Sequence, residues 1–195
     1  MIFDSQKPHS IQMCVDSGQK TWLTPPWIME KLGHFDLDPC TPPAMPWRTA
    51  DRMVSLPSDE PLDLQDGFIR TEPADGLKED WTGKRVWCNP PYGRDSYPFL
   101  RKLAAHRDGA IALLFARTET EIWQKVVFPS AHSILFIAGR VQFHKLDGTP
   151  VGVNAPSPSA LISYSEADTE VLAKSGIGGF LIRLRKEGVG CPANG

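Results

Sequence analysis

The sequence predicts an α/β sandwich with a mainly parallel central sheet and an antiparallel strand pair near the C-terminus. Three observations carry that prediction. From residue 85 onward, short apolar runs alternate with stretches of helical periodicity, the rhythm of strands joined by crossover helices. Asp147-Gly148 separates two strand-like runs, 141–145 and 149–153, as a hairpin turn does. The chain has 195 residues, enough for one domain with a core of its own.

Taken in order, the first helix has Thr24 placed as its cap and Pro25 and Pro26 in its first turn. Trp27, Ile28 and Leu32 give its apolar positions, and Gly33 stops it. A strand over 35–38 follows and breaks at Pro39. Residues 41–73 are rich in Pro, Asp and Ser with little periodicity, and read as long surface loops carrying one short strand or helix. Strand signals return at 85–88. Asp95 or Ser96 caps a helix reaching about His106, and 110–116 reads as a buried strand. Thr118-Glu119-Thr120-Glu121 has the form of a capping box opening a helix through Trp123, Val126 and Val127. Strands at 133–138 and 160–164, a helix at Glu166–Lys174 ending at Gly176, and a strand at 180–184 complete the alternation. A loose leader over 1–20, one domain over 21–185 and a tail over 186–195 are expected.

Composition excludes several classes. No run approaches a membrane span, and residues 1–20 have no apolar signal core, so a cytoplasmic location is expected. Cys14, Cys40, Cys88 and Cys191 form no C-x-x-C pair, which argues against a zinc cluster and gives no disulfide framework. His106, His132 and His144 lack metal-ligand spacing and read as surface residues; no metal is expected. No G-x-G-x-x-G follows the first strand and no Walker loop occurs, so dinucleotides and a P-loop nucleotide are disfavoured. Ser157 and Ser159 lack the His/Asp pattern of a hydrolase. Net charge is −2, but it is unevenly spread: residues 1–83 carry −7, residues 84–145 carry +6 and residues 146–195 carry −1. A local basic stretch with Arg94, Arg117 and Arg140 fits a polyanion, and equally an ordinary solvated face.

That basic stretch begins near Asn89-Pro90-Pro91-Tyr92, which follows the apolar Val86-Trp87-Cys88. Each proline biases the residue before it to extended geometry, and neither proline has an N–H. The segment is therefore a stiff ledge: an amide oxygen and a backbone carbonyl can face one point, with Tyr92 as a flat wall. Two acceptors and a stacking face suit a planar ring carrying an exocyclic amine. In open α/β sheets the ligand crevice lies at the carboxyl ends of the strands. There Phe35-Asp36-Leu37-Asp38-Pro39-Cys40 ends in an acid, Asp38, suited to a cationic or hydroxyl-bearing cofactor or to a plain turn before proline.

Asp-Pro-Cys after one short strand and Asn-Pro-Pro-Tyr after another resemble the paired signature of amino methyltransferases that use S-adenosylmethionine. Trp22-Leu23-Thr24-Pro25-Pro26, Asp75-Gly76-Leu77-Lys78-Glu79-Asp80-Trp81, Ala116-Arg117-Thr118-Glu119-Thr120 with Trp123, Gly139-Arg140-Val141-Gln142-Phe143 and Ala155-Pro156-Ser157-Pro158-Ser159-Ala160 extend the likeness. Their order is similar to that of phage-type DNA N6-adenine methyltransferases (Dam-like), over roughly residues 20–184. The resemblance implies a Rossmann-like methyltransferase sandwich in a bacterial or phage-infected host cytoplasm, with DNA as partner and S-adenosylmethionine as cofactor. It implies Asn89, Pro90 and Tyr92 as catalytic, with a flipped-out adenine on the ledge. Asp38, Pro39 and Cys40 would line the cofactor site with Trp22 and Thr24, closed by Asp75 and Leu77, or else Asp80. Arg94, Arg117 and Arg140 would meet nucleic acid. Thr41-Pro42-Pro43 stands where commoner methyltransferases have glycines. Protein glutamine, RNA guanine or cytosine N4 as acceptors, or a nucleic-acid-binding module without catalysis, are the competing readings. A monomer and a homodimer both remain open.

Overall fold

Six strands running one way and two running the other form the central sheet of the computed structural model, which describes residues 22–57 and 65–184. The predicted leader and tail lie outside the described residues. In chain order the elements are α1 (Pro26–Leu32), β1 (Leu37–Asp38), β2 (Ala44–Met45), β3 (Arg52–Ser55), β4 (Ile69–Arg70), β5 (Glu72–Pro73) and β6 (Val86–Cys88). A 3₁₀ turn, Gly93–Asp95, leads into α2 (Ser96–Ala105), then β7 (Ala110–Phe115). A π-helical turn, Trp123–Val127, runs into α3 (Phe128–Ser130), followed by β8 (Ser133–Ile137), β9 (Ser159–Ser163), α4 (Glu166–Lys174) and β10 (Gly179–Arg183).

The sheet order is β10-β8-β9-β7-β6-β1-β3-β5, with β2 and β4 a separate antiparallel pair. β9 is antiparallel to both its neighbours and β10 is antiparallel to β8; the remaining pairings are parallel. This is the mixed, mainly parallel α/β fold that the sequence predicts, and it is compatible with a Rossmann-like methyltransferase.

Period-two alternation sorts the core. Val86 and Cys88 with Ala110, Ala112 and Leu114 face one cluster with Leu100 and Leu103 of α2 and with Trp123. Trp87, Ile111 and Leu113 face the other, with Ile28, Met29 and Leu32 of α1 and Leu172 of α4. Trp81 and Trp87 are both fully packed, as expected of sheet-covering tryptophans.

Four local expectations are corrected. Residues 41–73 hold more than one short strand among otherwise irregular chain: β2, β3, β4 and β5 all fall there, and β3 lies inside the main sheet, pairing β1 through Leu37↔Arg52 and Asp38↔Met53. Its apolar signal is only Met53-Val54, too brief to show a periodicity. Thr24 does not cap α1; Pro25 precedes it without a side-chain bond, and the Ile28 N–H donates to the Pro25 carbonyl (3.1 Å). No capping box forms at Thr118, since the chain turns through 118–120 and the Thr120 hydroxyl donates to the Arg117 carbonyl (2.7 Å). The wide turn that follows precedes Pro129, which lacks the N–H of a normal helical ladder. His106 is buried, not a surface residue: it lies edge-on to Trp81, with Nε2 2.9 Å from the Lys84 carbonyl oxygen.

The Asp147-Gly148 turn does form. Gly148 has φ +80°, and the Lys145 N–H donates to the Thr149 carbonyl (2.8 Å). Its arms are also joined by the bridge His144↔Pro150 and by the Val151 N–H donating to the Phe143 carbonyl (2.9 Å), and His144 bridges Leu23 as well.

Candidate active site

From β1 the chain first builds β3 and β5 on one side, then crosses to lay β6 and β7 on the other. The strand order therefore reverses between β1 and β6, and a crevice opens at their carboxyl ends for topological reasons alone. A cleft of about 170 Å³ lies at this point, lined by Trp22, Thr24, Asp38, Cys40, Thr49 and Asn89 among others. A second cleft, about 260 Å³, lies against α2 and β7, with Leu100, Leu114, Phe115 and Trp123 in its walls. Pro90, Pro91 and Tyr92 line both. The ledge is a partition between two clefts.

Asp38, at the end of β1, is 4% exposed. Burial pushes its carboxyl up to about 6, although the Thr49 hydroxyl (2.5 Å) and the Cys40 N–H (3.2 Å) both donate to it and pull the other way. A carboxylate so desolvated gains from a neighbouring cation. Beside it, the Cys40 and Cys88 sulfurs lie 3.5 Å apart, and the Cys88 thiol together with burial holds the Cys40 thiol well above its ordinary range. The Asn89 side chain donates from Nδ2 to the Trp22 carbonyl (3.0 Å), which leaves Oδ1 as the acceptor end of the amide. Tyr92 stacks on Phe115 with ring centroids 4.6 Å apart and planes 13° from parallel. Burial raises the Tyr92 phenol above its ordinary range, so it stays neutral.

The family model for DNA N-6-adenine-methyltransferase (Dam) matches residues 58–171, more than half the chain. The chain belongs to the Dam family. No curated protein and no solved structure matches it. The matched segment contains the ledge and the walls of the second cleft; Trp22 and Asp38 lie before it.

Within this Dam-family chain, Trp22, Thr24, Asp38 and Cys40 line one cleft together with Asn89, Pro90 and Tyr92. Pro39 is buried behind Asp38. Asp75, Leu77 and Asp80 do not line that cleft. The Asp75 carboxylate accepts from the Leu77 N–H (3.0 Å), the Leu77 carbonyl accepts from the Lys102 ammonium (2.8 Å), and exposed Asp80 accepts from the Thr82 N–H (2.9 Å). Their turn instead braces the cleft from behind. Gly76 packs so closely on Pro39 that an added Cβ would sit 1.8 Å from the Pro39 carbonyl oxygen. Arg94 and Arg117 are exposed at the rim of the second cleft. Arg140 lines neither cleft and donates to the Ala155 carbonyl (3.0 Å) at the hairpin base.

Sequence reasoning missed Thr49, which holds Asp38, and Phe115, which backs Tyr92. Nothing in Pro46-Trp47-Arg48-Thr49 marks a threonine that returns to a strand eleven residues earlier. Phe115 was legible only as one apolar residue near the end of a buried strand. Among the described residues, His34, Asp36 and Asp51 could together face a cation; their site is empty, and no helix is long and apolar enough to cross a membrane.

Proposed function

We propose that this Dam-family chain methylates the N6 amine of an adenine flipped out of DNA, using S-adenosylmethionine. The observation that carries the reading is the Asn89 amide: its nitrogen is committed to the Trp22 carbonyl, so its oxygen is the end left for a substrate amine. The cleft on the Asp38 side fits a cationic, aromatic cofactor, because a desolvated carboxylate and the rings of Trp22 and Tyr92 share its lining.

When bound, S-adenosylmethionine supplies an electrophilic methyl on a positively charged sulfur. Asp38 favours that charge, and Trp22 offers a face for the adenosine ring. Adenine N6 is a poor nucleophile because its lone pair is delocalised into the ring. Asn89 Oδ1 and the Pro90 carbonyl accept its two N–H bonds and draw the nitrogen towards tetrahedral geometry, an interaction that strengthens as positive charge develops there. The prolines fix the Pro90 carbonyl and the Trp22 carbonyl holds the Asn89 amide before substrate arrives, so little ordering remains for the reacting complex. Neither acceptor is a base, and the proton leaves to solvent after transfer. Tyr92 stacks on the base, worth about 1–3 kcal/mol. A base within a duplex cannot reach a ledge set between two clefts, which calls for flipping. Arg94 and Arg117 stand where the strand's phosphates would pass, and their contacts carry no sequence information.

The test is incubation with methyl-labelled S-adenosylmethionine and unmethylated DNA, followed by nucleoside analysis. Label in N6-methyldeoxyadenosine is expected; label in RNA, in cytosine N4 or in protein would overturn the DNA assignment. Asn89→Ala is expected to lower turnover about 10²–10³-fold while cofactor affinity holds. Turnover retained in that variant would remove the ledge from the mechanism.

A further inference from the structure

The two ledge side chains, Asn89 and Tyr92, are held by opposite ends of one arc of aromatic residues. At one end the Trp22 carbonyl accepts from Asn89 Nδ2 (3.0 Å). The Trp22 ring meets Phe143 edge to face, with centroids 6.0 Å apart and planes at 82°. Phe143 meets Phe115 the same way, at 6.2 Å and 86°. Phe115 then lies parallel to Tyr92 at 4.6 Å. The arc is fixed to the backbone as well, because the Leu23 N–H donates to the His144 carbonyl (2.9 Å) and the His144 N–H to the Leu23 carbonyl (3.1 Å). Phe143 is almost fully buried, and Phe115 ends a strand paired on both sides.

At 4.6 Å no third ring fits between Phe115 and Tyr92. One face of Tyr92 is thus closed, and a planar substrate has only the other. The Tyr92 hydroxyl is buried among the described residues without a hydrogen-bond partner, so no polar anchor sets the ring's orientation. The stack on Phe115 is the directional contact that the ring makes.

We propose that Phe115 is a positioning residue for methyl transfer: it orients Tyr92 and, through Phe143 and Trp22, keeps Tyr92 in register with the Asn89 acceptor. This rests on the reading of the ledge given above. Edge-to-face and parallel ring contacts are directional, which is what separates this role from simple space filling. An aliphatic side chain at 115 can keep the volume and cannot keep the orientation.

The experiment is a cycle of Phe115→Leu, Tyr92→Ala and the double variant. Each is assayed by single-turnover transfer of labelled methyl from S-adenosylmethionine to unmethylated DNA, with cofactor affinity and melting temperature measured alongside. Phe115→Leu is expected to slow transfer about ten- to a hundredfold with cofactor affinity unchanged. The double variant should be no slower than Tyr92→Ala, and Phe115→Tyr, which keeps the ring, should restore the rate. Multiplicative losses in the double variant, or a Phe115→Leu rate near wild type while Tyr92→Ala is slow, would overturn the positioning role and leave the ledge reading intact. Should Asn89→Ala and Tyr92→Ala both transfer at the wild-type rate, the ledge reading fails and this role falls with it. A rate loss in Phe115→Leu that Phe115→Tyr does not recover would also count against it.

Discussion

On one side of the sheet, β1, β3, β5 and β6 run for two to four residues, whereas β7, β8, β9 and β10 run for five or six. The longer strands interlock: Leu161 of β9 is in register with Leu113 of β7 and Leu135 of β8, and all three are buried. Short strands offer few ladder bonds, so that half is tied by side chains instead. Thr41 donates to the Val54 carbonyl (3.0 Å), Thr49 to Asp38 (2.5 Å) and Thr71 to the Ser55 hydroxyl (2.9 Å), while the Arg85 N–H donates to Asp36 (2.6 Å). The first cleft sits against the side-chain-tied half. Stability and site geometry are therefore expected to be separable, because different bonds supply them.

The largest effect should come from the long half. Leu161→Ala removes a fully buried side chain between two paired leucines and is expected to cost about 2–5 kcal/mol in urea unfolding. Cofactor affinity measured well below the melting temperature should stay near wild type. A cost under about 1 kcal/mol, well short of a buried-leucine truncation, would show that this half is not the stability reservoir.

Next comes the pH response of the site half. Asp38 has its carboxyl raised from its ordinary value to about 6 by burial. A raised acid contributes stability that is fully present below its unfolded value and is lost as pH rises through the folded one. Stability from this group should therefore fall between about pH 4 and pH 6, by about 2–3 kcal/mol at most, and then level off. Asp38→Asn should remove that slope, which denaturant melts of the two proteins across pH 4–7.5 would read as a difference. Cofactor affinity should run the other way and rise through pH 6, since a cation favours the ionised carboxylate. Matching slopes in both proteins would place the titration elsewhere.

What the sequence made legible follows the same division. Every long strand was readable from its apolar run: Ala110 to Phe115 states its burial directly, whereas β10 keeps the run with Phe180 and Ile182 exposed. The ledge was readable because two prolines after an asparagine restrict geometry whatever surrounds them. β3 was not, since two apolar residues carry no period and a strand of that length is defined by its neighbours. The Thr49 bond to Asp38 and the Phe115 stack on Tyr92 are tertiary, and no local pattern encodes them. Asp75, Leu77 and Asp80 show the opposite difficulty. Their block was recognisable, and its contribution to the fold is Gly76 packed on Pro39, with the acids themselves turned to local backbone N–H groups.

Gly76→Ala probes that brace. A methyl cannot be accommodated at 1.8 Å from the Pro39 oxygen, so the turn or the Pro39-Cys40 floor must shift. A loss of about 1–3 kcal/mol is expected, in the range of overpacked sites. Because the floor moves, cofactor affinity should weaken as well, unlike in Leu161→Ala. Calorimetric titration of both variants would draw the contrast, and weakened binding only in the leucine variant would reverse it.

Arg52→Ala should have the smallest effect. Its guanidinium grips Glu72 through two bonds (2.6 and 2.7 Å) and also reaches Glu79, linking β3 to β5 and to the turn behind the cleft. The group is about one-third exposed, and solvent screens the pair with Glu72. A side-chain tie of this kind contributes about 1 kcal/mol or less, and added salt should shrink it further. If the site half is held by many such ties, no single one is decisive. Arg52→Ala should then leave methyl transfer within about twofold of wild type, while Thr49→Val, acting on a buried hydrogen bond to a charged group, should cost more. Finding Arg52→Ala as damaging as Thr49→Val would mean that the edge of the short half is a structural keystone and not a set of small, independent restraints.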